Sequence, residues 1–215
     1  MNNKQKTFSK EIKSFIKIKH NADEYKNFVN IIFKEIINIK SKDPIWKLLN
    51  YLEKETDFYT APASTKFHSN EEYGLIRHSL LVAAYGIELA PIMLSGDIDM
   101  YYLVISCLFH DLCKVNMYES KLKNAKNEES GEWEKVPYYK IKDDYLSYGH
   151  GIESMLRLNK FIQMPESWNH AIRWHMGAYD MTQMDKFALE KSFVAYREVL
   201  FLQTADMLAG LVDNV

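Results

Sequence analysis

The sequence predicts an all-α protein with one small β-hairpin inserted. Three observations lead there. Only 8 Gly and 5 Pro interrupt 215 residues. Hydrophobic residues make up 47% of the chain, enough for a substantial core. Most of the chain repeats its apolar residues at helical spacing. At this length one domain is expected, with residues 1–57 forming N-terminal helices packed on a core domain over 58–215.

The elements follow in order. Phe8, Ile12, Phe15 and Ile16 mark a helix over 8–19; Phe28, Ile31, Ile32, Ile36 and Ile39 mark another over 23–40. Asp43-Pro44 supplies a cap and first turn for a helix to about Glu55. Residues 57–76 read as irregular. Helices are expected over 77–94 and 98–113. Lys126 to Gly131 is a turn signal, and Trp133 to Ile141 is rich in aromatic and branched residues, so a hairpin is expected there. Gly149-His150-Gly151 opens a helix to Phe161, and Pro165-Glu166 opens one to His175. The last helix is expected from Lys191 to Val212.

Charge and cysteine usage exclude several classes. The net charge is -2, so no global field draws polyanions. Residues 1–47 hold 11 Lys against 5 acidic residues, which reads first as a solvated helix face and second as a contact for nucleic acid or a partner. Cys107 and Cys113 form no Cys-x-x-Cys pair, so they read as small core residues in a reducing compartment. No signal peptide is apparent, and the apolar stretch from Leu80 to Leu94 is broken by Glu88 and Pro91. A cytoplasmic protein without membrane contact is expected.

The chemistry is concentrated in His110-Asp111, at the end of the apolar run Tyr101 to Phe109. A histidine and an aspartate in such a place are costly to leave unpaired, and a divalent metal satisfies both. His78 shares a helix face with Leu81, Val82 and Tyr85, and Asp206 shares one with Val199, Leu202 and Ala209. Any one of these residues alone is better read as a hydrogen-bonded core residue. The four together favour a metal. Two imidazoles and two carboxylates suit Mn, Fe, Co, Ni or Zn, with Mg also open.

The order His, His-Asp, Asp resembles the metal site of the HD phosphohydrolase superfamily. The resemblance runs from about Phe58 to Asp206. It implies an HD-domain helical bundle over 58–215 and one or two divalent metal ions. It also implies that Asp111 bridges two metals, with His150 and His175 on the second. Ala61-Pro62-Ala63, Gly74 through Leu80, and Gly149-His150-Gly151 resemble a bacterial branch whose best-known member is a 3′-5′ exoribonuclease. That enzyme carries an N-terminal nucleic-acid-binding barrel, whereas residues 1–57 here read as helical. No Gly-Tyr-Pro signature of the cyclic-di-GMP branch is present. The second-metal reading ranks ahead of the alternatives. For His150 the alternative is a surface residue near a helix start. For His175 it is a C-terminal histidine favoured by the helix dipole.

Several cations stand near these residues. His110-Asp111-Leu112-Cys113-Lys114 resembles the His-Asp-x-x-Lys arrangement of the superfamily, and Lys114 lies at i+4 from His110. It is expected either to hold a phosphate oxygen or to be a surface lysine at a helix end. The chain has four arginines against 23 lysines. Arg77 adjoins His78 and Arg173 lies two before His175, so both are candidates for phosphate; Arg157 and Arg197 are expected in carboxylate pairs. His68 is a candidate substrate contact or a solvated loop histidine. Tyr138, Tyr139 and Trp133 are expected to pack the hairpin down, with base stacking as the second reading.

The sequence therefore points to Asp111 and Lys114 as catalytic residues of a phosphohydrolase. A small nucleotide is the favoured substrate, since no separate nucleic-acid module is visible. A 3′-5′ exonuclease or cyclic-nucleotide phosphodiesterase is the alternative. A non-catalytic nucleotide- or partner-binding module is a third reading, against which the full ligand set argues. Ten methionines allow a homo-oligomer without requiring one.

Overall fold

A computed structural model describes residues 3–66, 69–127, 130–178 and 181–212. Among these the chain forms nine α-helices and one antiparallel hairpin. α1 (Asn3–Phe15) is followed by α2 (Ala22–Ile31), which starts at a reciprocal Asn21/Glu24 capping box and loosens into a π turn over Ile32–Ile36. α3 (Ile45–Glu55) begins where the Asp43 carboxylate accepts the Ile45 N–H at 2.9 Å. α4 (Gly74–Met93) and α5 (Met100–Phe109) form the centre of the bundle.

α4 is apolar nearly all round. Its 20 residues are long enough by length and composition to cross a bilayer, yet 72% of its apolar window is buried inside this protein. It packs on α1, α5 and α9, so its burial is explained by protein neighbours. One continuous core runs from Phe8 and Ile12 of α1 through Leu80 and Ile87 of α4 and Leu108 of α5 to Leu202 of α9.

Past α5, a 3₁₀ turn (Leu112–Lys114) leads into β1 (Tyr118–Lys126) and β2 (Trp133–Ile141), paired antiparallel with Tyr118 opposite Ile141. α6 (His150–Asn159) and α7 (Glu166–Trp174) pack on each other. The chain closes with α8 (Gln183–Ala195), α9 (Arg197–Met207) and a π turn over Leu208–Val212.

Two expectations are corrected. The stretch after residue 182 holds two helices broken at Tyr196, where one was expected from Lys191. α8 buries only Leu189 and Ser192, so it lacks the apolar stripe that periodicity detects. The hairpin packs its aromatics down only in part: Tyr138 and Tyr139 are half-buried, but Trp133 is 73% exposed and most of both strands faces water.

Candidate metal centre

Helix ends converge on one point. His78 projects from the second turn of α4, and Asp206 from the last turn of α9. His110 and His175 are the C-cap residues of α5 and α7. Asp111 follows His110 directly, and His150 is the first residue of α6. The negative dipole ends of α5 and α7 therefore both face the cluster, which favours a cation there.

Two glycines bring His150 into place. Gly149 has φ +102°, a conformation that side chains rarely adopt. A Cβ on Gly151 would stand 2.2 Å from the Arg173 carbonyl oxygen, so only glycine lets α6 approach α7 this closely. That approach sets His150 Nε2 3.2 Å from His175 Nε2.

Asp111 lies at the centre. Its Oδ1 is 2.7 Å from His150 Nε2 and 3.4 Å from His175 Nε2. Its Oδ2 is 3.4 Å from His110 Nε2 and 3.8 Å from His78 Nε2. Asp206 Oδ1 closes the far side, 2.9 Å from His78 Nε2 and 3.6 Å from His110 Nε2. His110 Nδ1 donates to the Cys107 carbonyl at 2.9 Å and His175 Nδ1 to the Ile172 carbonyl at 2.7 Å. A carbonyl only accepts, so both rings carry a proton on Nδ1, and Nε2 is the atom turned inward that a metal would take.

The charges are strongly coupled. Burial alone would raise the Asp111 carboxyl, but Lys114, His110 and His150 outweigh it and hold it well below the usual carboxylate range. Burial opposes the Asp206 carboxylate likewise, and His110 and His78 hold it low. Burial would lower His110, yet Asp111 and Asp206 push it up to about 10. His150 is lowered by burial, despite Asp111.

Sequence reasoning missed the clamp behind the cluster. His150, Ser154 and Arg157 fall at i, i+4 and i+7 on α6, and all three engage the turn after Asp111. Ser154 Oγ accepts from the Cys113 N–H at 3.0 Å, and Arg157 Nη1 donates to the Leu112 and Val115 carbonyls, each at 3.0 Å. Arg157 also makes its expected carboxylate pair, with Glu153 at 2.6 Å. Tyr145 Oη donates to the Cys113 carbonyl. Cys113 Sγ lies 3.3 Å from His150 Nδ1. Burial pushes this thiol up to about 12, so it keeps its proton. A thiol can donate to Nδ1 or accept from it, so it supports either tautomer of His150. The i, i+4, i+7 spacing was the available signal.

The cation candidates separate. α5 ends at Phe109, so Lys114 does not share a helix face with His110. The 3₁₀ turn instead carries its Nζ to 2.6 Å from Asp111 Oδ2. Arg77 is not brought to the cluster: its guanidinium pairs with Glu71 and donates to the Ile16 carbonyl at 3.5 Å. Arg173 lies over the Trp174 ring, 3.5 Å from Asp185, on the wall of a separate cavity of about 780 Å³ between α6, α7 and α8. Arg197, expected in a carboxylate pair, is exposed beside Met93 and Phe193. His68 lies outside the described residues.

The donor set fits a divalent metal. His78, His110 and Asp111, and likewise His110, His175 and Asp206, place ligand atoms within 4.8 Å of one another. His110 Nε2 is fully buried and has no hydrogen-bond partner, although two carboxylates face it. An orphaned imidazole nitrogen aimed between carboxylates is the arrangement that a metal would complete.

The family model of the HD domain matches residues 75–210, more than half of the chain, and the chain belongs to that family. The matched span contains every residue of the cluster. HD-domain proteins are, as a family, metal-dependent phosphohydrolases that bind divalent metals. No curated protein and no solved structure matches the chain significantly.

Proposed function

We propose that this protein hydrolyses a phosphate ester or anhydride with the help of divalent metal, and that a small nucleotide is its substrate. One observation carries the reading: the two oxygens of Asp111 face two separate imidazole pairs, His78 with His110 and His150 with His175. A carboxylate so placed suits a bridging ligand, with Asp206 completing the first pair and His150 and His175 forming the second. Bound metal would supply a Lewis acid for phosphoryl oxygens and lower the pKa of an attacking water.

The chain's own residues do the rest. His110 and His175 are held by backbone carbonyls, so their Nε2 atoms need no reorientation. Lys114 directs one N–H at Asp111; its other N–H groups would meet a phosphate oxygen, where negative charge grows in the transition state. Arg77 and Arg173 pair with carboxylates outside the cluster, whereas Lys114 pairs with Asp111 inside it.

The test is metal analysis of the purified protein, then a phosphate-release screen over a nucleotide panel. Bound transition metal and phosphate release that stops with a chelator are expected. A metal-loaded protein that releases phosphate from no nucleotide would remove the nucleotide reading. A protein that binds no divalent metal would remove the whole proposal. A 3′-5′ exonuclease is kept as the second reading, because of the exposed hairpin.

A further inference from the structure

Away from the metal cluster, the cavity of about 780 Å³ between α6, α7 and α8 has a chemistry of its own. Its volume suits a small organic molecule, for which sites run about 300–1,000 Å³. Trp174, Phe187 and Tyr196 supply aromatic wall, and Ile152 and Met155 of α6 supply aliphatic wall. Hydrogen bonds tie α7 to α8 along one side. Ser192 Oγ donates its one proton to the Ala188 carbonyl at 2.8 Å, so it accepts from His170 Nδ1 at 2.9 Å. Ser192 is itself buried.

Arg173 is the under-matched group in this wall. Its guanidinium stands 3.9 Å from the centre of the Trp174 ring, and its Nη2 is 3.5 Å from Asp185 Oδ1. Asp185 is already engaged, because its Oδ2 accepts from the Thr182 N–H and hydroxyl at the cap of α8. Among the described residues the Arg173 side chain makes this ion pair and this ring contact but no hydrogen bond. Its fork carries five donors. Burial outweighs Asp185 and lowers the guanidinium from its ordinary value. Lys191 adds a cation at the exposed rim, 5.3 Å from the centre of the Phe187 ring.

Charge selects the ligand. Arg173 and Lys191 are offset by Asp185 and by Glu166, which also lines the cavity. A polyphosphate would bring several charges against those two carboxylates. A single negative charge on an aromatic body instead matches one under-matched fork beside three rings. We propose that this cavity binds an aromatic monoanion such as an aryl carboxylate, its charge on Arg173 and its ring among Trp174, Phe187 and Tyr196, and that the ligand is an effector of the metal centre. Arg173 and Trp174 lead directly into His175, and Ile152 follows His150 by two residues. A ligand touching both Ile152 and Trp174 would hold α6 against α7, the approach that sets His150 beside His175. It should therefore favour metal binding, and metal should favour the ligand by the same factor. Binding in the cavity does not depend on the hydrolase reading; the effector role rests on the metal part of that reading.

Isothermal titration calorimetry on the full chain compares 1-naphthoate, the uncharged 1-naphthamide and the aliphatic monoanion octanoate. We expect one naphthoate per chain, bound more tightly than either control. Arg173→Gln should weaken naphthoate at least about tenfold, as for loss of a hydrogen bond to a charged group, and leave naphthamide unchanged. Ala188→Phe, on the exposed side of α8, should fill the cavity and weaken both aromatic ligands. Far-UV circular dichroism checks that both variants are folded. Saturating naphthoate should raise the affinity for Mn²⁺, read by electron paramagnetic resonance, about fivefold or more, and Arg173→Gln should remove the increase. No naphthoate binding, or binding that both variants leave untouched, would overturn the inference. Octanoate bound as tightly as naphthoate would overturn the aromatic class. Mn²⁺ affinity unchanged by bound naphthoate would overturn the effector role. A dimer in sedimentation that Ala188→Phe dissolves, with no naphthoate binding, would reassign the cavity to self-association. Naphthoate-responsive Mn²⁺ binding without phosphate release from any nucleotide would support this inference and count against the hydrolase reading alone.

Discussion

His150 Nε2 lies 2.7 Å from Asp111 Oδ1, while the other oxygen of the same carboxylate meets Lys114 Nζ at 2.6 Å. One buried side chain thus joins the turn after α5 to the start of α6 and faces imidazoles on both sides. The arrangement explains why Asp111 stays ionised where burial would favour its neutral form.

Asp111→Asn should fold, because an amide retains the shape and much of the hydrogen bonding. It should lose metal and activity together. Removing one electrostatic partner of a reacting centre typically costs about 10²–10³ in turnover, and Asp111 would touch every metal present, so a fall of at least about 100-fold is expected. Metal analysis and a phosphate-release assay on the same preparation check this. A folded Asp111→Asn protein with full activity would sink the assignment.

Metal stoichiometry should respond to Gly151. Its missing Cβ is what allows α6 to lie against the Arg173 carbonyl. Gly151→Ala should cost about 1–3 kcal/mol as overpacking and move His150 away from His175. Bound metal, about two per chain in saturated wild type if Asp111 bridges a pair, should fall to about one. The same fall is expected for His150→Ala combined with His175→Ala. Chemical denaturation and metal titration are the readouts. A saturated wild type with one metal per chain would reject the two-metal arrangement.

Much of this site was legible as chemistry before it was legible as geometry. The apolar runs around His78, His110-Asp111 and Asp206 place each residue on a buried helix, and burial is what makes their pairing informative. The helix ends were less legible. α5 stops at Phe109, so Lys114 reaches Asp111 through a 3₁₀ turn that helical spacing does not foresee. α8 escaped notice because a mostly exposed helix has no apolar stripe, although Thr182 and Asp185 form a capping box at its start. Cys113 carried no sequence signal, because its contact with His150 joins residues 37 apart. The exposure of Trp133 depends on what the hairpin packs against, which local pattern does not encode.

Metal binding should release a proton. In the protein before metal arrives, Asp111 and Asp206 push His110 up to about 10, so it is charged at pH 7. A metal takes the neutral imidazole, and that proton must leave. The two aspartates are already ionised at this pH, and the depressed His150 is already neutral, so neither adds a proton. Apparent affinity should therefore rise with pH, about tenfold per unit for the one proton displaced, and level off as pH passes the His110 value. Titration calorimetry at pH 7 in buffers of different ionisation heat measures the release. Zero net release, with affinity flat between pH 6 and 8, would refute the coupling.

Lys114 and Arg77 should behave oppositely when replaced by Ala. Lys114 shares Asp111 Oδ2 with the candidate metal position, and two cations at one oxygen repel. Lys114→Ala should therefore keep its metal, or hold it more tightly, while turnover falls about 10²-fold, as for loss of one charge-stabilising donor. The loss should grow with the phosphate charge of the substrate. Arg77 instead ties Glu71 to the Ile16 carbonyl, at the join between α1 and α4. Its replacement should cost about 1–3 kcal/mol of stability, since a buried acceptor loses its donor, with turnover per folded molecule retained. Denaturant midpoints and initial rates separate the two outcomes. Arg77→Ala that lowers turnover without lowering stability would show that this guanidinium leaves Glu71 for the substrate.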